Sequence, residues 1–135
     1  MIRRWEDSDM EKALEIHAAN GLDERCFPNL VVDGVSNPLF CTKEVYEVDG
    51  QIVMMGFLKV TNEAFLILNH TCGTPEQRWE WLKEGMEHLK QEAWRKGFEQ
   101  ITAFVPPEIE ESFSKRLLEL GFVRSPWQSY SLNLE

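Results

Sequence analysis

A histidine and a cysteine lie two residues apart near the middle of the chain, directly after a β-rich run. Histidine is the side chain best suited to proton transfer near neutral pH, so the His70 imidazole could act as a general base. The structural alternative is a side chain that only hydrogen-bonds the neighbouring loop, and the residues alone favour it. Cys72 could in principle be a nucleophile, but no local histidine or aspartate is placed to activate it. We therefore interpret Cys72 as an unreactive thiol.

The other histidines and cysteines do not suggest a metal site. Three histidines and three cysteines never approach the spacing of metal ligands, so we predict no metal. The cysteines are odd in number and widely separated, which argues against a disulfide framework. A reducing, cytoplasmic compartment fits this cysteine usage best.

Length and charge narrow the function classes further. The chain has 135 residues, which predicts a single domain over 1–135. Fourteen Lys and Arg against 23 Asp and Glu give a net charge of −9, which disfavours nucleic acids and anionic membrane surfaces as partners. The longest apolar run, residues 52–58, is far shorter than the ~20 residues of a membrane span. The N-terminus turns acidic where a signal peptide would be apolar.

In the first half, the pattern predicts a short strand and a helix before a meander. A strand over residues 2–5 precedes a helix that begins at the capping box Ser8-x-x-Glu11 and ends at Gly21. We expect an irregular or partly helical connection over 20–37. Residues 43–48 and 51–60 are β-rich runs joined by Asp49-Gly50, the typical hairpin turn. A third run covers 64–69.

In the second half, helices alternate with β-rich runs. Thr74-Pro75-Glu76-Gln77 predicts a capped helix that ends at Gly97, and Pro106-Pro107 opens another that ends at Gly121. Strands are expected at residues 98–105, 122–123 and 128–134. Helices between the later strands imply a parallel pair, whereas the hairpins are antiparallel. We therefore predict an α+β or α/β fold with a mixed, mostly antiparallel central sheet flanked by helices.

This order resembles the GNAT acetyltransferase superfamily over essentially the whole chain. Residues 97–102 and 117–122 are similar to the family's "rG-hydrophobic-xx-I" strand and to its following helix that ends in "LGF". Residues 75–78, Pro-Glu-Gln-Arg, look like the "PxxR" that opens the family's cofactor loop. The resemblance implies that acyl-CoA lies where two strands splay apart, here 64–70 and 98–105. Its pyrophosphate would sit on amides of residues 73–81, at the start of the next helix.

The resemblance also assigns roles to individual residues. His70 would be the base and Tyr130 a substitute for the family's tyrosine acid, whose position holds Leu117. The set expected around acetyl-CoA comprises Asn69, Cys72, Gly73, Thr74, Arg78, Trp81 and Lys83. For Arg78 the alternative is a solvated surface residue, and for Tyr130 it is an ordinary β-strand residue.

Two departures from the family pattern leave two hypotheses open. The loop glycines of the family are replaced by Trp81 and Lys83, and its tyrosine acid is missing. The first hypothesis is a GNAT-type N-acetyltransferase that moves acetyl directly from acetyl-CoA to an amine on a small molecule or protein. The second is a catalytically inactive GNAT-fold binding or inhibitory protein, of the phage or mobile-element type. Either one is expected to be a monomer or a homodimer.

Overall fold

The computed structural model describes residues 1–134, which form two compact units divided between Thr61 and Asn62. The strands and helices of the first unit are β1 (Ile2–Arg4), α1 (Met10–Ala19), β2 (Val31–Val32), β3 (Val35–Ser36), β4 (Phe40–Val48) and β5 (Gln51–Lys59). Two short 3-10 turns, Asp7–Asp9 and Glu24–Cys26, flank α1. The second unit contains α2 (Pro75–Arg95) and α3 (Pro107–Glu119). The α+β class is confirmed, whereas one domain over 1–135 stays a prediction.

The main sheet has three antiparallel strands in the order β1-β4-β5. Asp49 and Gly50 both have positive φ, +49° and +74°, so the two-residue turn twists in the sense that the hairpin needs. Val45, opposite Arg3 in β1 and Met55 in β5, is fully buried at the centre of the sheet. The predicted hairpin is confirmed. It forms in this register because its turn residues and its strand pattern favour the same pairing.

Aromatic side chains cover one face of this sheet. Phe57 of β5 makes edge-to-face contacts with Trp5 and with Phe40, at centroid separations of 5.3 and 6.4 Å. These distances lie within the favourable range for aromatic pairs. Trp5, which follows β1, and Phe40, at the start of β4, therefore both pack against Phe57 of β5.

A second hairpin lies within residues 20–37, where the sequence predicted an irregular connection. β2 and β3 pair around Asp33 and Gly34, whose φ values are +51° and +78°. This is the same Asp-Gly turn as in the main hairpin, but with strands of only two residues. Its base is closed by buried Asn37, whose side chain donates to Asn29 O and accepts from Leu39 N–H. The prediction missed it because strands this short carry no alternation of apolar and polar residues.

The start of α1 differs from the predicted Ser8-x-x-Glu11 capping box, which does not form. The chain first makes the 3-10 turn Asp7–Asp9, and α1 begins only at Met10. Asp9 accepts the Glu6 N–H at 2.8 Å and is itself buried. The Asp9 carboxylate therefore takes the part that the predicted capping box gave to Glu11, in a turn that begins two residues earlier.

Arg3 ties this turn to the sheet. Its guanidinium donates to both oxygens of Asp9, at 2.7 and 2.9 Å, and its Nε donates to Glu47 Oε1 at 2.8 Å. Two-point contact fixes the orientation of the planar group as well as its distance from the carboxylate. One side chain of β1 thus binds the start of α1 and the end of β4.

Helix α2 is the best-predicted element. The Thr74 hydroxyl accepts from Gln77 N–H and the Gln77 side chain accepts from Thr74 N–H, so the capping box is confirmed. Leu82 and Met86 of the predicted apolar stripe are buried, whereas Trp81, which lies off that stripe, is exposed. The helix ends before Gly97, which has a φ of +85°.

The predicted strands of the second unit are absent from residues 62–134. Residues 64–69, 98–105, 122–123 and 128–134 have no strand partner. One backbone hydrogen bond joins the first two runs, from Ala64 N–H to Thr102 O at 2.8 Å, and Asn62 braces it through Gln100 O and Thr102 N–H. Ile67 is 99% exposed. The prediction of a mixed sheet is wrong here because β-propensity yields a strand only where a neighbouring strand completes the ladder.

We expect the Asp9 carboxylate to make stability depend on acid pH. Arg3, and then the Glu6 N–H, hold the pKa of Asp9 below its ordinary value of 3.8. The stabilisation is thus complete above pH 3.8 and is lost as pH falls through the lower folded pKa. Asp9→Asn should cost about 1–2 kcal/mol at pH 7, since Arg3 is partly screened by solvent, and should flatten this acid loss. Urea unfolding at pH 7 and at pH 3 measures both effects.

The matched control is Asp7→Asn in the same turn, where the side chain is exposed. It should leave both the stability at pH 7 and its acid dependence unchanged. Identical pH profiles for Asp9→Asn and the unaltered protein would contradict the assignment.

Candidate functional site

The turn before α2 contains most of the predicted cofactor-binding residues. Asn69 Oδ1 accepts from the Thr71 N–H at 3.0 Å and from the Thr71 hydroxyl at 2.7 Å. The Cys72 N–H donates to Asn69 O at 3.3 Å. Asn69 therefore folds the chain back on itself, and its side chain is used in making the turn.

The capping box engages the amides that an anion would need. Thr74 N–H and Gln77 N–H are bonded to each other's side chains, at 2.9 and 3.1 Å. Arg78 N–H donates to Thr74 O at 2.9 Å, and Pro75 has no N–H. The amides of Thr74, Gln77 and Arg78 are thus bonded within the turn and the start of α2, whereas the amides of Gly73 and Glu76 take no part in these bonds.

The Arg78 guanidinium points back into the turn. Its NH1 donates to Gly73 O at 2.7 Å and to Cys72 O at 3.2 Å. These carbonyls precede the helix and have no intrahelical partner, so a cation is a suitable donor for them. Arg78 is therefore a structural clamp on the turn rather than a free positive charge.

The Trp81 indole covers Gly73. A Cβ built on Gly73 would lie 2.6 and 2.9 Å from two carbons of the indole ring, closer than real Cβ contacts. Gly73 also has a φ of +68°, a conformation that L-residues with side chains rarely adopt. Glycine is thus required at position 73 for two reasons: the backbone has a positive φ, and the indole ring leaves no room for a side chain.

Lys83 does not join this cluster. Its ammonium pairs with Glu80 Oε1 at 2.6 Å, one turn earlier in α2, and lies 5.9 Å from the centre of the Trp79 ring. Both partners are neighbours on the helix surface. The lysine that the sequence assigned to a phosphate is instead used in a surface ion pair.

The two predicted catalytic residues take no part in the hydrogen bonds of the turn. His70 is exposed between Asn69 and Thr71. Tyr130 is 94% exposed in the C-terminal segment, which has no regular structure over residues 122–134. The structure therefore brings together Asn69, Cys72, Gly73, Thr74, Arg78 and Trp81, without an activated base or acid beside them.

These contacts do not fit the pyrophosphate of acyl-CoA. A phosphate at a helix start is bound by open backbone N–H groups and by nearby positive charge. Here the amides of Thr74, Gln77 and Arg78 are engaged, one guanidinium nitrogen of Arg78 donates to two carbonyls, and Trp81 closes the approach over Gly73. The arrangement is a sealed turn, so we derive no chemical step through a cofactor here.

A cleft elsewhere in the second unit was missed by the sequence analysis. It has a volume of about 1200 Å³ and lies among the second half of α2, residues 98–105, α3 and residues 120–129. Aromatic rings line much of it: Trp94, Phe98, Phe104, Phe122 and Trp127. Arg124 pairs with Glu110 at 3.0 Å, and both residues line the cleft. The cleft is thus mainly apolar, and its lining also includes the charged residues Lys90, Glu99, Glu110 and Arg124.

A repeated Gly-Phe pair could have revealed this cleft. Gly97 and Gly121 each end a helix with positive φ, and the next residue is a phenylalanine. Phe98 N–H returns to Ala93 O, and Phe122 N–H returns to Leu117 O, both at 3.0 Å. This helix ending places an apolar residue just after the glycine, against the last turn. The two phenylalanines are thereby turned toward the cleft that they both line.

Comparison with protein-family models, with curated proteins and with solved structures finds no match. Within residues 1–134, no three His, Cys, Asp or Glu side chains are grouped so that they could hold a metal ion. No helix of that part of the chain has the length and apolar character needed to cross a membrane. Any function assigned to this chain must therefore be argued from the sealed turn and the cleft.

Gly73→Ala should destabilise the protein by about 1–3 kcal/mol through backbone strain and contact with the indole. In a Trp81→Ala background the contact disappears, so the same substitution should cost less, leaving the strain of positive φ. Urea midpoints of the four proteins in this double-mutant cycle give the coupling energy.

Gly97→Ala serves as the control, since Gly97 also has positive φ but open space around a built Cβ. Its cost should be the same in the unaltered protein and in the Trp81→Ala background. A Gly73→Ala cost that is equally independent of the side chain at position 81 would show that the indole does not cover the turn.

Proposed function

We propose that this chain is a diverged GNAT-like protein that acts by binding a ligand or partner and does not transfer acyl groups. The observation that carries the proposal is the sealed turn at the start of α2. The motif that resembles the family's cofactor loop is present in sequence, but its residues bond to one another.

The energetic reason is the cost of opening the turn. An incoming pyrophosphate would have to break the capping box and displace Arg78 from two carbonyls before it gained a contact. A charge-assisted hydrogen bond contributes about 1.5–3 kcal/mol and a cap about 1 kcal/mol. These losses offset much of what the phosphate contacts would contribute.

The cleft of the second unit is the site that we assign to binding. Its volume, about 1200 Å³, is at the upper end of the range for sites that take a small molecule or a short peptide segment. Aromatic walls with a few charged side chains, two of them paired, favour an apolar or aromatic ligand that carries few polar groups. The net charge of −9 makes a polyanion an unsuitable partner.

A second candidate is the GNAT-type N-acetyltransferase, with direct transfer from acetyl-CoA to an amine. It is favoured by residues 62–64 and 100–102, which are joined by a backbone hydrogen bond at the start of the two runs that the family would splay. The indole that covers Gly73 is half exposed, so it could turn away if the capping box also opened. His70 and Tyr130 would then be the base and the acid.

Titration calorimetry with acetyl-CoA separates the two candidates. If the protein binds a ligand and does not transfer acyl groups, millimolar acetyl-CoA should give no heat of binding with the unaltered protein or with Trp81→Gly, because the capping box remains closed. If the protein is a transferase, acetyl-CoA should bind weakly, and its affinity should fall in Arg78→Ala and rise in Trp81→Gly. Trp94→Gly is the matched control, since it adds a glycine to the same helix at a similar cost of about 1 kcal/mol.

The cleft is tested with the fluorescent apolar anion 8-anilinonaphthalene-1-sulfonate. We expect saturable fluorescence enhancement in the folded protein, and a several-fold weaker affinity in Leu118→Glu, which puts a charge in the cleft. The control is Leu14→Glu in α1, an equally exposed leucine of the first unit. Equal affinities for both variants would remove the cleft as the binding site.

A further inference from the structure

Strand β5 forms a long edge of the main sheet. The order β1-β4-β5 gives β5 a neighbour on one side only, along nine residues. The opposite edge, β1, is only three residues long and carries Arg3 and Arg4. Short, charged edges resist pairing with another chain, whereas long apolar edges invite it. The two edges of this sheet therefore differ in what they can bind.

One stretch of β5 has the pattern of an unpaired strand face. Met55 and Phe57 face the packed side of the sheet, whereas Met54 and Leu58 on the other side are 59% and 62% exposed. Gly56 lies between them, with open space around a built Cβ. The register of β4 and β5 shifts before Met54 and again after Leu58, which limits the regular stretch to residues 54–58. No charge and no proline interrupt residues 54–58.

The chain that follows β5 is bound to other residues. Ala64 N–H donates to Thr102 O, and the Asn62 side chain contacts Gln100 O and Thr102 N–H. Residues 62–64 are therefore engaged with residues 100–102. The next run, 64–69, which the sequence predicted as the following strand of the meander, belongs to no sheet.

We propose that β5 pairs antiparallel with β5 of a second copy of this chain, about a two-fold axis at Gly56. In this register Met54 of one copy lies opposite Leu58 of the other, twice, on the exposed face. The glycines meet at the centre, and residues 54–58 carry no charge, so no like charges face each other within the paired stretch. A two-fold interface must be self-complementary, and this segment is.

The charge of the chain sets the salt dependence of this association. Two copies of net charge −9 repel each other, but the paired segment itself carries no acidic residue. Salt screens the repulsion between the surfaces and leaves the apolar contacts in place. The dimer should thus tighten as ionic strength rises, the opposite of an interface built on ion pairs.

Sedimentation velocity over a concentration series tests the pairing with the full chain. We expect a monomer–dimer equilibrium that Leu58→Glu weakens about tenfold or more. Val35→Glu, at an equally exposed valine of the separate β2–β3 sheet, should leave it unchanged. Met54→Lys combined with Leu58→Glu should restore the dimer, because the register places each lysine opposite a glutamate of the partner subunit. Circular dichroism confirms that each variant is folded.

Three results would overturn the proposal. The first is a monomer at every concentration with slow amide exchange at residues 54–58, which would show that the chain's own residues cover the edge. The second is a dimer indifferent to Leu58→Glu. The third is a dimer disrupted by Leu58→Glu that the double variant does not restore, which would rule out this register. All three are independent of the acetyl-CoA experiment.

Discussion

The guanidinium of Arg3 is the contact on which the order of the first unit depends. It reaches the Asp9 carboxylate at two points and Glu47 at a third, while Arg3 itself is paired opposite Val45 in the sheet. Asp9 is buried, so removing its partner would leave a charge without solvent to compensate for it. The start of α1 is thus fixed relative to β1 and β4 through a single side chain.

Arginine is suited to this role because its donors are held in a plane. A lysine would supply one charge without the two parallel bonds to Asp9 and without the separate Nε contact to Glu47. The Asp9 carboxylate also accepts the Glu6 N–H, so the same group satisfies the backbone at the helix start. One buried carboxylate thereby links the backbone of the turn to the first strand, and Arg3 extends the link to Glu47 of β4.

In the second unit, side chains also satisfy backbone groups at a helix start, that of α2, but the consequence there is different. Its first turn satisfies its own donors through Thr74 and Gln77, and Arg78 satisfies the carbonyls of the preceding turn. A helix start can bind an anion only with amides that are still open. The residues that stabilise this turn are therefore the ones that close it to a phosphate, and the cleft beyond Phe98 and Phe122 is the more open site.

Sequence alone determined the features that depend on a few neighbouring residues. The Asp49-Gly50 turn, the Thr74–Gln77 cap and the helix ends at Gly97 and Gly121 all follow from local backbone preferences, so the sequence predicts them correctly. The buried stripe of Leu82 and Met86 also follows, because helical spacing fixes which side chains share a face. Six of the predicted site residues lie together around the start of α2, whereas Lys83, His70 and Tyr130 do not join them, and the roles given to these residues stay predictions.

Only the tertiary structure decided which partners distant residues find. Residues 98–105 have the composition of a strand, yet no ladder forms along them, since pairing depends on a neighbour that composition does not specify. The carboxylate that caps the backbone is Asp9 and not Glu11, and Arg3, six residues away, orients it. Arg78 looks the same in sequence whether it binds a phosphate or Gly73 O, and only its direction in space separates the two.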